Sequence, residues 1–150
     1  MSNLIYIIVP LVAWAIAQAA KHLFVRYNRG RKIIDQPDSA HVLMPFAPSG
    51  GMPSAHAATV TALMTILGLK LGVDSPVFAV ALLMAAVVMY DAVMVRYSSG
   101  EQGVTILAIL SHLKTSIARP KIAKGHTIPE VIVGAAIGAL VATMTFWMMK

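Results

Sequence analysis

Two histidines carry the chemical content of this sequence, and each stands at the start of a long apolar segment. His56 closes Gly50-Gly51-Met52-Pro53-Ser54-Ala55-His56, and His126 opens His126-Thr127-Ile128-Pro129-Glu130 behind Gly125. Imidazole changes charge near neutral pH, which suits it to act as a nucleophile or a proton donor. In the first cluster Pro53 cannot donate a backbone hydrogen bond and suits a helix start, and Ser54 is a natural N-cap. A helix beginning there aims free N–H groups and the positive end of its dipole at the preceding glycines. Gly50 and Gly51 let the backbone come close to an oxyanion. His56, in the first turn, is placed to protonate a leaving oxygen. The same residues also fit a purely architectural arrangement, a capped helix behind a glycine turn with an interfacial histidine.

In the second cluster His126 and Glu130 are four apart, so on a helix they share a face. A carboxylate bonded to one imidazole nitrogen fixes the tautomer and leaves the other nitrogen free to attack. Thr127-Ile128-Pro129-Glu130 also fits a capping box, with Thr at the N-cap and Glu at N3. Glu130 therefore has two readings, as orienter of His126 and as helix cap.

Asp91 and Arg96 flank the end of another apolar run. The guanidinium offers a fork of donors suited to phosphate oxygens, although a boundary arginine is more commonly a snorkelling, positive-inside residue. An intramembrane carboxylate is expensive unless paired, and Arg96 or Lys21 is a plausible partner for Asp91. Gly100-Glu101-Gln102 supplies a turn and a polar group, Gln102, at the same face. Asp35, Asp38 and His41 read as a polar loop, because no spacing matches a zinc pattern. No metal site is expected, and His22 and His112 read as interfacial residues.

The elements that must position these groups are membrane spans. Apolar residues make up 58% of the 150 and charged ones 12%, with a mean hydropathy of +0.76, far from a soluble composition. Four runs suffice, or nearly so, for about 30 Å of hydrocarbon: Leu4 to about Ala20, Ser54 to about Leu71, Pro76 to Val95, and Pro129 to Met149. The first lacks a basic n-region and a cleavage site, and reads as a retained anchor. The fourth, rich in lipid-facing Met, carries Gly134 and Gly138, a small-xxx-small pair suited to close helix packing. A fifth stretch, Glu101 to Ala118, has a short apolar core and reads as an amphipathic helix at the interface or packed on the bundle, with a short spanning helix as the alternative. The expected fold is all-α, a single integral membrane helical bundle over 1–150. It has about four transmembrane helices and one amphipathic or short helix.

Twelve Lys+Arg against six Asp+Glu give a formal charge of +6. Anionic lipid and the positive-inside rule explain this excess better than a nucleic-acid partner does. Lys21, Arg26, Arg29, Arg31 and Lys32 follow the first run, and Arg96, Arg119, Lys121 and Lys124 separate the third from the fourth. Both loops are expected in the cytoplasm and both termini outside. With four crossings His56, Arg96 and His126 meet at one face; a fifth crossing by 101–118 would send His126 to the other. With no cysteine, disulfides and thiolate metal sites are excluded.

These motifs resemble the divergent branch of the type 2 phosphatidic acid phosphatase superfamily, related to vanadium-dependent haloperoxidases. Gly-Gly-Met-Pro-Ser-Ala-His at 50–56 is similar to the superfamily's second signature, Pro-Ser-x-His. Gly125-His126-Thr127-x-Pro129-Glu130-Val131 with Gly134 is similar to the divergent form of the third, and Asp91…Arg96…Gly100-x-Gln102 also matches that branch. The resemblance implies a cofactor-free, metal-independent phosphomonoesterase of the cell (inner) membrane that works through phosphohistidine on a phosphorylated lipid at the cytoplasmic face. It implies His126 as nucleophile, Glu130 where the superfamily usually has Asp, and His56 as general acid. Arg96, Ser54 and the Gly51 backbone would hold phosphate. The first signature, Lys-x6-Arg-Pro, is absent: Lys114 to Arg119-Pro120 imitates it in the wrong place, and position 120, where an arginine is expected, is Pro. Phosphate binding is then rebuilt from Arg96 and Lys21. The alternative is a non-enzymatic membrane protein that binds or moves phosphorylated lipids. A structural role, or a homo-oligomer built on the Gly134/Gly138 surface, is a third reading.

Overall fold

The structure, a computed structural model, describes residues 3–29, 51–113, 117 and 125–150. Asp35, Asp38, His41, Lys114, Arg119 and Lys121 lie outside the described residues. All regular elements among those described are helical: α1 (Ile5–Arg29), α2 (Ala55–Leu71), α3 (Pro76–Tyr90), a π-turn (Asp91–Val95), α4 (Arg96–Leu113) and α5 (Ile128–Met148). Three helical stretches are long and apolar enough to cross a membrane, Ile5–Phe24, Pro76–Leu113 and Ile128–Met148, and α2 is a shorter apolar helix. With 17 residues, α2 is about 25 Å long, just short of a hydrocarbon core.

Helices α1, α2 and α5 pack on one another, and α3 lies against α2. Helix α1 turns Ile5, Val9, Ala13, Ala17 and Lys21 inward, a strict i+4 stripe. It runs past Ala20, where the sequence suggested its end, so Lys21 is not a loop residue but the buried last rung of that stripe. Helices α2 and α5 run in parallel at very close range. A Cβ at Gly134 would collide with the Ser54 carbonyl oxygen, and one at Gly138 with the Ala58 carbonyl oxygen. The small-xxx-small pair is therefore filled within the chain, by α2, where backbone meets backbone.

Helices α2 and α3 form an antiparallel pair across a tight connection. Gly72 ends α2 at φ +85°, a left-handed conformation that favours glycine. Ser75 then caps α3, its hydroxyl accepting from Val77 N at 3.3 Å, with Pro76 in the first turn.

The third run does not stop at Val95. The chain stays helical from Pro76 through the π-turn to Leu113, and those 38 residues make a rod of about 57 Å. Gly100, expected in a turn, is buried inside α4. The physical reason is the π-turn: the Arg96 N–H reaches back five residues to the Asp91 carbonyl, so an extra residue is absorbed without leaving helical geometry. The amphipathic stretch is thus a continuation of the third span. From Glu101 onward its side chains are exposed or half-buried.

Candidate active site

The site sits where α2 and α5 begin side by side. Ser54 is fully buried and caps α2, its Oγ accepting from Ala57 N at 3.4 Å. Its own N–H donates to the Glu130 carbonyl at 3.0 Å, which ties the two helix starts together. Both helices therefore begin side by side, with the positive ends of their dipoles at one end of the bundle, the arrangement that favours an anion. Gly51, three residues before Ser54, has φ +86° with open space beside it, so its backbone conformation favours glycine. The Met52–Pro53 peptide is cis.

His126 is buried, with 6% exposure. Its Nδ1 lies 3.0 Å from Glu130 Oε2, and the same oxygen accepts the Thr127 N–H at 3.0 Å. The two readings of Glu130 are thus both realised, because one carboxylate oxygen caps α5 and holds the imidazole. A carboxylate at Nδ1 draws the proton to that nitrogen and leaves the lone pair on Nε2. Burial pushes the His126 imidazole below its ordinary value, with Lys21 and Arg96 acting in the same direction against the pull of Glu130. Around neutral pH the ring is uncharged, and the contact with Glu130 is a hydrogen bond from a neutral imidazole.

The His126 loop is held on its other side by the π-turn. The His126 N–H donates to the Ala92 carbonyl at 3.0 Å. In an α-helix that carbonyl would accept from Arg96, but the Arg96 N–H is directed to Asp91 instead. The π-turn thus exposes an acceptor where the loop needs one. Gly125 permits the approach, since a Cβ there would strike the Tyr97 nitrogen and come within 2.6 Å of the Arg96 carbonyl carbon. Ala57, Ala92 and Val131 close the junction beneath with a small apolar cluster.

The π-turn also brings Asp91 and Arg96 together. Residues five apart on an α-helix point about 140° away from each other. Here Arg96 Nε donates to Asp91 Oδ2 at 2.7 Å, with the two side chains 57% and 39% exposed. His56 is exposed on the first turn of α2, and the charges that reach it are those of Arg96, His126, Lys21 and Asp91. Lys21 is 4% exposed, within reach of the Glu130 charge.

The structure therefore gathers His56, His126, Glu130, Lys21, Arg96, Asp91 and Ser54 at one end of the bundle. The Gln102 amide donates to Ser98 at 3.5 Å, along a surface groove with Met94 and Val95. Sequence reasoning missed the Ala92 carbonyl and the close approach at Gly125. A glycine directly before a site histidine was the one available signal; a π-turn has none. Chemically, the arrangement offers one imidazole held at Nδ1 by a carboxylate, a second imidazole, two cations and two helix N-termini. Such a set suits an oxyanion.

Comparison with known proteins identifies the family. The model of the family described as Divergent PAP2 family matches residues 2–141. A Bacillus subtilis (strain 168) protein named "Uncharacterized membrane protein YuiD" is 50% identical over 58 residues, 39% of this chain and 37% of that protein. The match thus spans little more than a third of the length of that relative. No solved structure matches the chain significantly.

Proposed function

The chain belongs to the Divergent PAP2 family, is a membrane protein with several apolar helices, and from this premise we propose that it is a lipid-phosphate phosphatase. The observation that carries the reading is the buried His126 with Nδ1 fixed by Glu130 at 3.0 Å, which leaves Nε2 to attack phosphorus. In the first step an N–P bond forms at His126 Nε2 while the ester P–O bond breaks. The leaving oxygen keeps the electron pair and takes a proton from His56. Water, losing its proton to His56, then attacks the phosphohistidine and releases phosphate with the free imidazole. Lys21, Arg96, Ser54 and the Gly51 backbone hold the phosphoryl oxygens, so their charges and dipoles do the work of a metal. The exposed edge of the site stands at the end of the apolar helices, where the headgroup of a phosphorylated membrane lipid lies. The basic residues flanking α1 and α5 in the sequence favour a cytoplasmic site at the cell (inner) membrane, by the positive-inside rule.

The test is phosphate release from phosphatidic acid by purified protein in detergent, with EDTA present. Release by the wild type and its loss in His126→Ala are expected. Full activity in His126→Ala overturns the nucleophile assignment. Binding of phosphatidic acid without release by the wild type overturns the enzyme in favour of a lipid-phosphate carrier, the reading that the missing first signature favours.

A further inference from the structure

The α3–α4 limb is longer than a membrane is thick. About 20 helical residues cross the hydrocarbon, and the limb has 38. Helix α2 ends at Leu71 and α3 begins at Pro76, so the limb starts at the end of the bundle opposite the site, and its surplus length is α4. The limb nonetheless keeps large apolar side chains in the open: Val95 is 55% exposed, Ile106 47%, Ile109 52% and Leu113 68%. Beyond the hydrocarbon, apolar residues this exposed call for a cover.

The spacing of these residues says what kind of cover. Val95, Ser99, Gln102, Ile106, Ile109 and Leu113 follow one another in alternating steps of four and three, the seam of a coiled coil. All six are exposed, whereas Gly100, Gly103, Leu107 and Leu110, further round the helix, are buried or half-buried. The groove lined by Met94, Val95, Ser98, Ser99 and Gln102 lies on the same seam. Residues 95, 98, 99 and 102 stand at i, i+3, i+4 and i+7, the four corners of a hole that takes a knob from a facing helix. In a parallel pair the knob for this hole is residue 99 of the facing helix, and two small serines there let the backbones come close.

We propose that this seam binds a second copy of the chain, α4 against α4, parallel and in register. Copies in one membrane share their orientation, so a two-fold axis along the membrane normal makes the two α4 helices parallel. Ser99 then meets Ser99 and Gln102 meets Gln102 across the axis, each side chain able to donate and accept, and such a polar layer fixes register. Ile106, Ile109 and Leu113 form the apolar layers beyond. No residue of the seam is charged, and Arg96 and Glu101 stand off it, so the identical faces meet without like-charge repulsion. The exposed seam offers on the order of 500 Å² per copy, enough to reach the roughly 1,000 Å² in total from which specific interfaces start. The Gly134/Gly138 surface, by contrast, is spent on α2.

The chain has no cysteine, so single cysteines in the full chain report neighbours without background. Ser99→Cys, Ile106→Cys and Ile109→Cys, oxidised in liposomes, each give a disulfide-linked dimer, because a two-fold axis brings identical residues together. Val104→Cys, exposed but on another side of the helix, cross-links about tenfold less, since a disulfide needs Cα atoms within roughly 7 Å. Ile106→Glu sets like charges face to face and weakens pairing about tenfold, read as energy transfer between labelled copies while lipid is added. Equal cross-linking at 104 and 106, or transfer unmoved by Ile106→Glu, overturns the seam. Protection of the Ile106→Cys thiol from a water-soluble maleimide without a dimer assigns the face to lipid or to another part of the same chain, and overturns self-pairing as well.

Discussion

The α2–α5 seam and the α3–α4 limb meet at the same histidines, yet they are held in different ways. The seam is built from backbone: Gly134 against the Ser54 carbonyl, Gly138 against the Ala58 carbonyl, and the Ser54 N–H on the Glu130 carbonyl. It carries the buried groups, Ser54 and His126. On the limb, α3 buries only Ala81 and Ala85, and α4 only Gly100, among their described side chains. It joins the site through the π-turn and carries the exposed pair Asp91 and Arg96. The difference teaches a division of labour. A nucleophile must be fixed before substrate arrives, because small misplacements are costly in rate. On the proposed mechanism the arginine that meets phosphate must be reachable from outside, and the Arg96 side chain is 57% exposed.

The largest way to break the contrast is to wedge the seam. Gly134→Ala drives a methyl group into the Ser54 carbonyl oxygen and should cost about 3 kcal/mol, read as a fall in thermal unfolding in detergent. Next is the joint between the regions. Gly125→Ala meets the Tyr97 backbone and displaces the His126 loop; about a hundredfold loss of phosphate release is expected with less loss of stability.

Glu130→Gln sharpens the fixed side of the comparison. Burial keeps His126 neutral, so while the alkaline limb of kcat/KM reports loss of the proton that His56 donates, its acid limb should lie at a value below the ordinary histidine range. Removing the Glu130 charge removes an influence that raises this value, so the acid limb should move lower still while the plateau falls about tenfold. Ser54→Ala deletes a buried N-cap and should cost about 1 kcal/mol in the same unfolding assay. Ile109→Ala, on the exposed limb, should change the stability of the single chain by less than about 0.5 kcal/mol. A large effect there would mean that α4 packs against its own bundle and would erase the contrast.

Much of the site was legible because its groups are local. Ser54 two residues before His56, and His126 four before Glu130, fix cap, first turn and orienter through helix periodicity alone. The role of Lys21 was half legible: its charge marked a boundary, but only the inward stripe on α1 showed it buried. Gly100 suggested a turn where the chain continues as helix, so Gln102 stands on α4 rather than in a loop.

Composition, helical period and capping act over a few neighbouring residues, and so the apolar helices, their caps and the two imidazole clusters were readable from residue order. It also marked Gly134 and Gly138 as a packing surface without naming the partner. That α2 fills that surface, and that the third span runs on through a π-turn, emerged from the packed helices. Their packing alone showed the Ala92 carbonyl receiving the His126 N–H. Those outcomes depend on which backbone groups lie free when helices distant in sequence meet, and a hydrogen bond five residues back along one helix leaves no mark in the pattern of its side chains.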